Sequence, residues 1–126
     1  MNLEPVHTDA APAAIGPYSQ AVKVGHLLFC SGQIPLDPAS MEMVGSNAQE
    51  QCEQVMTNLA AVLEGAGTSL GKVVRTTIFL TTMNDFQAVN EVYGRHFGEH
   101  RPARACVAVK ELPKGALVEI DCIAAV

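Results

Sequence analysis

Two charged residues stand where apolar side chains belong. Arg104 interrupts the run from Ala103 to Val109, and Glu119 sits between Val118 and Ile120. A guanidinium drawn out of water needs a carboxylate or phosphate partner. A carboxylate in the same setting needs a donor or a proton. Together the two could build a small polar pocket. Arg104 would be the fixed cation for a substrate carboxylate, and Glu119 the acid or base that moves a proton or positions water. A structural ion pair within a sheet, or an exposed strand face, accounts for the same residues at this level.

Other chemical patterns are weaker. His96-Phe97-Gly98-Glu99-His100 matches the H-x-x-E-H pattern of inverted zinc peptidases. Gly98 breaks the helix that would hold both histidines on one face, and too little chain follows to supply a third ligand, so no metal is expected. Gly65-Ala66-Gly67 with Gly71 has the wrong spacing for a dinucleotide fingerprint and ends a helix instead of opening one. No nucleophile elbow or P-loop occurs, and the sequence gives His7 and His26 no partner for a triad. Cys30, Cys52, Cys106 and Cys122 are far apart, with no C-x-x-C pair. They are expected to be reduced thiols, three of them small buried hydrophobes, with Cys106 beside Arg104 as the exception.

The bulk of the chain narrows the function classes. Its 126 residues suit one domain, residues 1–126, and 48% hydrophobic residues suffice for a core. A net charge of -5 argues against a surface that tracks nucleic-acid phosphates. Residues 1–14 carry neither a basic leader nor an apolar core of a signal. No stretch approaches the roughly 20 apolar residues of a membrane span. A cytoplasmic protein without membrane contact is expected.

Hydrophobic spacing places the elements that must hold Arg104 and Glu119. Residues 20–24 and 26–31 read as a hairpin around Gly25. Residues 47–65 read as a helix with Ser46 and Gln49 as its capping box and Cys52, Val55, Leu59, Val62 and Leu63 as its apolar face. Residues 72–81 form a strand. A second helix, capped by Asn84 or Asp85, carries Phe86, Val89, Tyr93 and Phe97 on one stripe. Strands at about 103–110 and 117–125 follow, with one more near 3–8. The order predicts an α+β domain of two layers, a mixed β-sheet with two helices packed on one face.

Alternation then divides the strands. Val118, Ile120 and Cys122 share one face, and Leu117, Glu119, Asp121 and Ile123 the other. In the preceding strand Ala103, Ala105 and Val107 oppose Arg104, Cys106 and Ala108. Placing the purely apolar faces against the helices puts Arg104 and Glu119 together on the remaining face. No third layer exists to cover it, so another subunit is expected there.

The segments Pro102-Ala103-Arg104-Ala105-Cys106-Val107, Leu112-Pro113-Lys114-Gly115 and Val118-Glu119-Ile120 resemble the C-terminal signature of the RidA/YjgF family. So do Ala14-Ile15-Gly16-Pro17-Tyr18-Ser19-Gln20-Ala21, Ser31-Gly32-Gln33-Ile34-Pro35, Val74-Arg75-Thr76-Thr77, Asn84-Asp85-Phe86 and Val89-Asn90-Glu91-Val92-Tyr93, in the family's order over residues 11–124. The resemblance implies a chorismate-mutase-like fold, a homotrimeric barrel with clefts at the subunit boundaries, and a last strand lying between earlier ones. It also implies hydrolysis of 2-iminobutanoate and 2-iminopropanoate to 2-keto acids and ammonia, without a cofactor. A functional link to the pyridoxal-phosphate-dependent dehydratases that release such imines follows from it. On that likeness Arg104 and Glu119 are catalytic, Arg104 gripping the substrate carboxylate and Glu119 handling water. Tyr18, Ser31 and Asn90 would shape the pocket, and the backbone at Gly32 and Cys106 would line it. Arg101 stands where many members carry an aromatic residue, and Ser40-Met41-Glu42 replaces a glycine-containing turn. The resemblance leaves other readings for comparison: a non-catalytic metabolite-binding trimer, an RNA-cleaving or translation-inhibiting protein, and a holdase.

Overall fold

Val118-Glu119-Ile120-Asp121-Cys122-Ile123-Ala124 alternates fully buried with half-buried residues. That period of two makes it a strand with one face in the core. Residues 48–65 bury Cys52, Val55, Met56, Leu59, Val62 and Leu63, the period of an amphipathic helix. The computed structural model describes residues 1–126. Its elements are β1 (Leu3–Val6), β2 (Ala21–Val24), β3 (Leu27–Gln33), α1 (Ala48–Gly65), β4 (Val73–Leu80), α2 (Phe86–Phe97), β5 (Ala103–Ala108) and β6 (Val118–Ala125).

The six strands form one mixed sheet in the order β1-β2-β3-β6-β4-β5. The last strand is inserted in the middle, antiparallel to β3 and β4, while β5 runs parallel to β4 along the edge. The final two strands are therefore not a hairpin. Both helices pack on one face, where Leu59, Met56 and Leu63 meet Val89 and Val92 and the sheet residues Leu28, Ile78, Leu80 and Ile120. Glu53 ties the helices together across their outer side, accepting from Arg95 at 2.8 Å and lying 3.0 Å from His96 Nε2. The His100 ring nitrogen lies 2.7 Å from the Val73 carbonyl oxygen. The two histidines of the H-x-x-E-H match thus engage different elements, beyond a helix that stops at Gly98 with φ +64°.

The helix starts differ in detail from the sequence reading. Asn47, not Ser46, is the α1 cap. Its side chain accepts the Glu50 N–H at 2.8 Å, and Glu50 reaches back to the Ser46 N–H and hydroxyl. This is the capping-box exchange shifted by one residue. At α2 neither Asn84 nor Asp85 caps with its side chain. A short 3-10 turn at Met83–Asp85 leads in, with Thr82 Oγ1 accepting the Asn84 N–H at 3.2 Å.

The larger correction concerns β5. Its register pairs Thr76 with Arg104 and Ile78 with Cys106. Thr76, Ile78 and Leu80 are buried beneath the helices, so Arg104 and Cys106 share the helix face. The apolar side, Ala103, Ala105 and Val107, turns outward beside Phe79, which pairs with Glu119. Arg104 and Glu119 therefore lie on opposite faces of the sheet. The outward face carries Phe29, Phe79, Ile123 and Val107, with Phe29 43% and Val107 44% exposed.

One fully buried polar residue links core and surface loop. Asn58 of α1 donates to the carbonyls of Leu36 at 2.9 Å and Ile34 at 3.3 Å. Asn58→Ala leaves the Leu36 carbonyl without its donor inside the protein, while the Ile34 carbonyl keeps the Leu36 N–H at 2.8 Å. It is expected to cost about 1–3 kcal/mol, read as a lower denaturation midpoint at fixed protein concentration. An unchanged midpoint would mean that the loop holds itself.

Candidate active site

The polar residues singled out by the sequence gather in two separate clefts. Tyr18, Ser31, Gly32 and Glu119 line the first, of about 450 Å³, together with Ile15 and Lys114. Asn90 and Arg104 line the second, of about 380 Å³, together with Tyr93 and Arg101. Cys106 lines neither, though it follows Arg104 on the same side of β5.

The first cleft is built on the irregular end of β3. The ladder between β3 and β6 shifts between Cys30 and Gln33, which takes Ser31 and Gly32 out of regular pairing. Glu119 fills the space so opened. A Cβ on Gly32 would sit 2.1 Å from a Glu119 carboxylate oxygen, so any side chain there would push the carboxylate out of its place. Ser31 donates its hydroxyl to the Ser19 carbonyl at 2.6 Å, which turns its lone pairs outward for other donors. Buried Gln20 fixes the far wall. Its amide accepts the Thr8 N–H at 2.7 Å and donates to the Pro12 carbonyl at 2.8 Å. Tyr18, 53% exposed, stands at the rim. Lys114 closes another side from a turn where it takes the left-handed φ of +56°. Burial pushes the Glu119 carboxyl above the usual carboxylate range, and the neighbouring Asp121 adds to the rise.

The second cleft lies at the end of β5 against α2. Arg104 Nη1 donates to Asn90 Oδ1 at 2.6 Å. The guanidinium carbon lies 5.0 Å from the Tyr93 ring centre and 5.6 Å from that of Phe86. One residue from each of three successive turn positions of α2 thus orients it. Tyr93 is fixed in turn by a 2.7 Å hydrogen bond with buried Thr76. No carboxylate pairs with Arg104, which removes the in-sheet ion pair with Glu119 as an account of either residue.

Tyr93, Phe86, Gln20 and Lys114 shape these clefts without having been singled out for that role. Tyr93 and Phe86 read as core stripe because their spacing is that of a buried helix face. Gln20 carried one usable signal, a polar side chain at the start of an apolar strand. Cys52 and Cys106 are poor nucleophiles. Burial pushes Cys52 up to about 12 and raises Cys106, whose shift Arg104 only partly offsets. No three His, Cys, Asp or Glu residues gather as a metal-ligand group, and no helix is long and apolar enough to cross a membrane.

The family model described as Endoribonuclease L-PSP matches residues 8–126. The chain belongs to this YjgF/RidA family. A RutC family protein of Sinorhizobium fredii is 54% identical, with 96% of each chain covered. The mouse protein named 2-iminobutanoate/2-iminopropanoate deaminase is 47% identical over 94% of this chain and 88% of its own. The crystal structure of RidA from an Antarctic Psychrobacter superposes with a TM-score of 0.94 at 46% identity, covering 98% of this chain and 99% of that one. The two-layer YjgF/RidA fold expected from the sequence is the one observed.

The raised Glu119 pKa has a consequence for stability. Its carboxyl group is easier to keep protonated folded than unfolded, so its favourable contribution is present below the unfolded pKa and lost as pH rises through the folded one. Glu119→Gln is therefore expected to raise the melting temperature at pH 7–8, with the gain shrinking towards pH 4. A variant that melts lower at every pH would contradict the desolvated carboxylate.

Proposed function

We propose that the chain hydrolyses 2-imino acids to 2-keto acids and ammonia, with 2-iminobutanoate and 2-iminopropanoate as substrates, in clefts between the subunits of a cytoplasmic homotrimer. The division of the site carries this reading. A 2-imino acid needs its carboxylate held and a proton moved at the adjacent C=N group. The cation suited to the first task and the acid suited to the second lie on opposite faces of one sheet, in two half-lined clefts. One chain cannot bring them together, but the Arg104 edge of one copy against the Glu119 face of the next can. The apolar outward face gives that contact a driving force. The mouse relative's name supports the reaction.

The chemistry balances with the groups present. The substrate carboxylate takes two parallel hydrogen bonds from Arg104, whose plane is already set by Asn90 and the aromatic rings of α2. Water adds to the imine carbon, its oxygen bonding to C2 as the C=N π pair moves to nitrogen, while Glu119 accepts one proton of the water and the nitrogen takes one from solvent. The resulting carbinolamine collapses as Glu119 returns its proton to nitrogen. The C–N bond breaks, the hydroxyl oxygen loses its proton to solvent as C=O forms, and ammonia leaves. A carboxyl group whose pKa burial has raised holds a proton more readily than an ordinary carboxylate, which suits a group that must accept a proton and then return it. Neither a thiol nucleophile nor a cofactor takes part. The name of the family model points to RNA, but a net charge of -5 leaves little to attract a polyanion.

Arg104→Ala and Arg104→Lys are expected to lose about 30-fold or more in kcat/KM on 2-iminobutanoate, because a desolvated charged partner is worth about 2–5 kcal/mol. No buried carboxylate is stranded by either change, so both variants should sediment as the same trimer as the parent and melt within a few degrees of it. A folded Arg104→Ala trimer with undiminished keto-acid production, or a parent that sediments as a 13.3 kDa monomer, would overturn the reading.

A further inference from the structure

The cleft at the end of β5 holds more positive charge than a monocarboxylic substrate requires. Arg101 and Arg104 both line it, and its remaining lining residues, Asn90, Tyr93, Gly94 and Pro102, carry no acid. That runs against the composition of a chain with 13 acidic and 8 basic side chains. Neither guanidinium forms an ion pair with the protein. Both lie near enough to the Tyr93 phenol to pull its pKa down, against the larger upward push of burial. Arg104 is spoken for as the carboxylate clamp. Arg101 uses only its Nη1, which donates to the carbonyls of Gly98 and, at 3.0 Å, His100. An arginine has five N–H donors, so those on Nε and Nη2 have no protein partner. Two like charges in one cleft repel each other and are relieved by an anion that meets both.

We infer that Arg101 is a specificity-determining residue that receives a second anionic group, which makes dicarboxylic 2-imino acids of four or five carbons substrates of this protein. The inference rests on the proposed hydrolase reading for the reaction and adds the substrate class. The cleft allows it. Both side chains line one cleft and both act on the Tyr93 phenol, so a short dianion in that cleft meets the two guanidiniums. With Arg104 on the carboxylate next to the imine, Arg101 meets the distal carboxylate. Closing the last turn of α2 is the other role open to Arg101, since arginines commonly bond terminal helix carbonyls. That role alone would affect folding and act equally on all substrates.

The experiment compares kcat/KM for imines generated in place by flavin-dependent amino-acid oxidases acting on glutamate and on alanine. In Arg101→Gln the ratio of dicarboxylic to monocarboxylic kcat/KM should fall tenfold or more. Arg101→Lys, which keeps a charge, should recover part of it. An unchanged ratio, with the monocarboxylic imine still hydrolysed by the parent, overturns this inference and leaves the hydrolase reading standing. If the parent hydrolyses neither imine, that reading fails, and calorimetry with 2-oxoglutarate and 2-oxobutanoate decides the role of Arg101 alone. Arg101→Gln should then weaken 2-oxoglutarate at least tenfold more than 2-oxobutanoate, and equal weakening overturns the inference.

Discussion

The register of β4 against its two neighbours governs everything built on this sheet. Thr76 opposite Arg104 sends the guanidinium to the helix face, and Phe79 opposite Glu119 sends the carboxylate to the other. Side chains alternate with a period of two, so a slip of one residue on either side would reverse one of them and bury the wrong set. The fully buried Thr76, Ile78 and Leu80 fix that phase, because a one-residue slip would turn all three outward. Each half of the site then inherits its surroundings from its face. Arg104 meets the aromatic rings and amide of α2, and Glu119 meets the vacant Cα of Gly32.

The same register leaves an outward sheet face that is both apolar and chemically incomplete. Phe29, Phe79, Ile123 and Val107 share it with Arg75, Asp121 and Glu119. The charged residues are few but set among large apolar ones, a mixture suited to contact with a partner and costly to leave in water. On the proposed function, a fold that places Glu119 on this surface couples assembly to activity. In that account, ordering of the site and burial of the face are one event.

Much of this was legible from local pattern. The order of elements, the buried face of α1 and the division of β6 into Val118-Ile120-Cys122 and Glu119-Asp121-Ile123 all follow from periodicity, because each has a core face that no other phase satisfies. The face of β5 did not. Ala103-Arg104-Ala105-Cys106-Val107 offers an apolar and a charged side, and burying the apolar one is the economical choice for an isolated chain. It fails because β5 is an edge strand, and Phe86, Asn90 and Tyr93 make a seat for the guanidinium on the helix face. The cap of α1 was a narrower miss. Ser46-x-x-Gln49 and Asn47-x-x-Glu50 both fit the capping pattern, and the second prevails because a carboxylate accepts from Ser46 twice, more strongly than an amide would. The proposed pairing of the two half-sites rests on family likeness, since nothing local in the sequence records which copy would meet which.

A site shared between copies can be tested by mixing two disabled chains. Arg104→Ala and Glu119→Gln are each prepared, confirmed inactive as trimers, then unfolded together and refolded in equal amounts. If Arg104 of one copy works with Glu119 of the next, random assembly restores an intact pair at one boundary in four, and the mixture should recover about a quarter of the parent's imine hydrolysis. If both residues act within one chain, every site still lacks one of them. Activity no higher than that of either variant alone, in trimers shown by mass spectrometry to be mixed, would contradict the account.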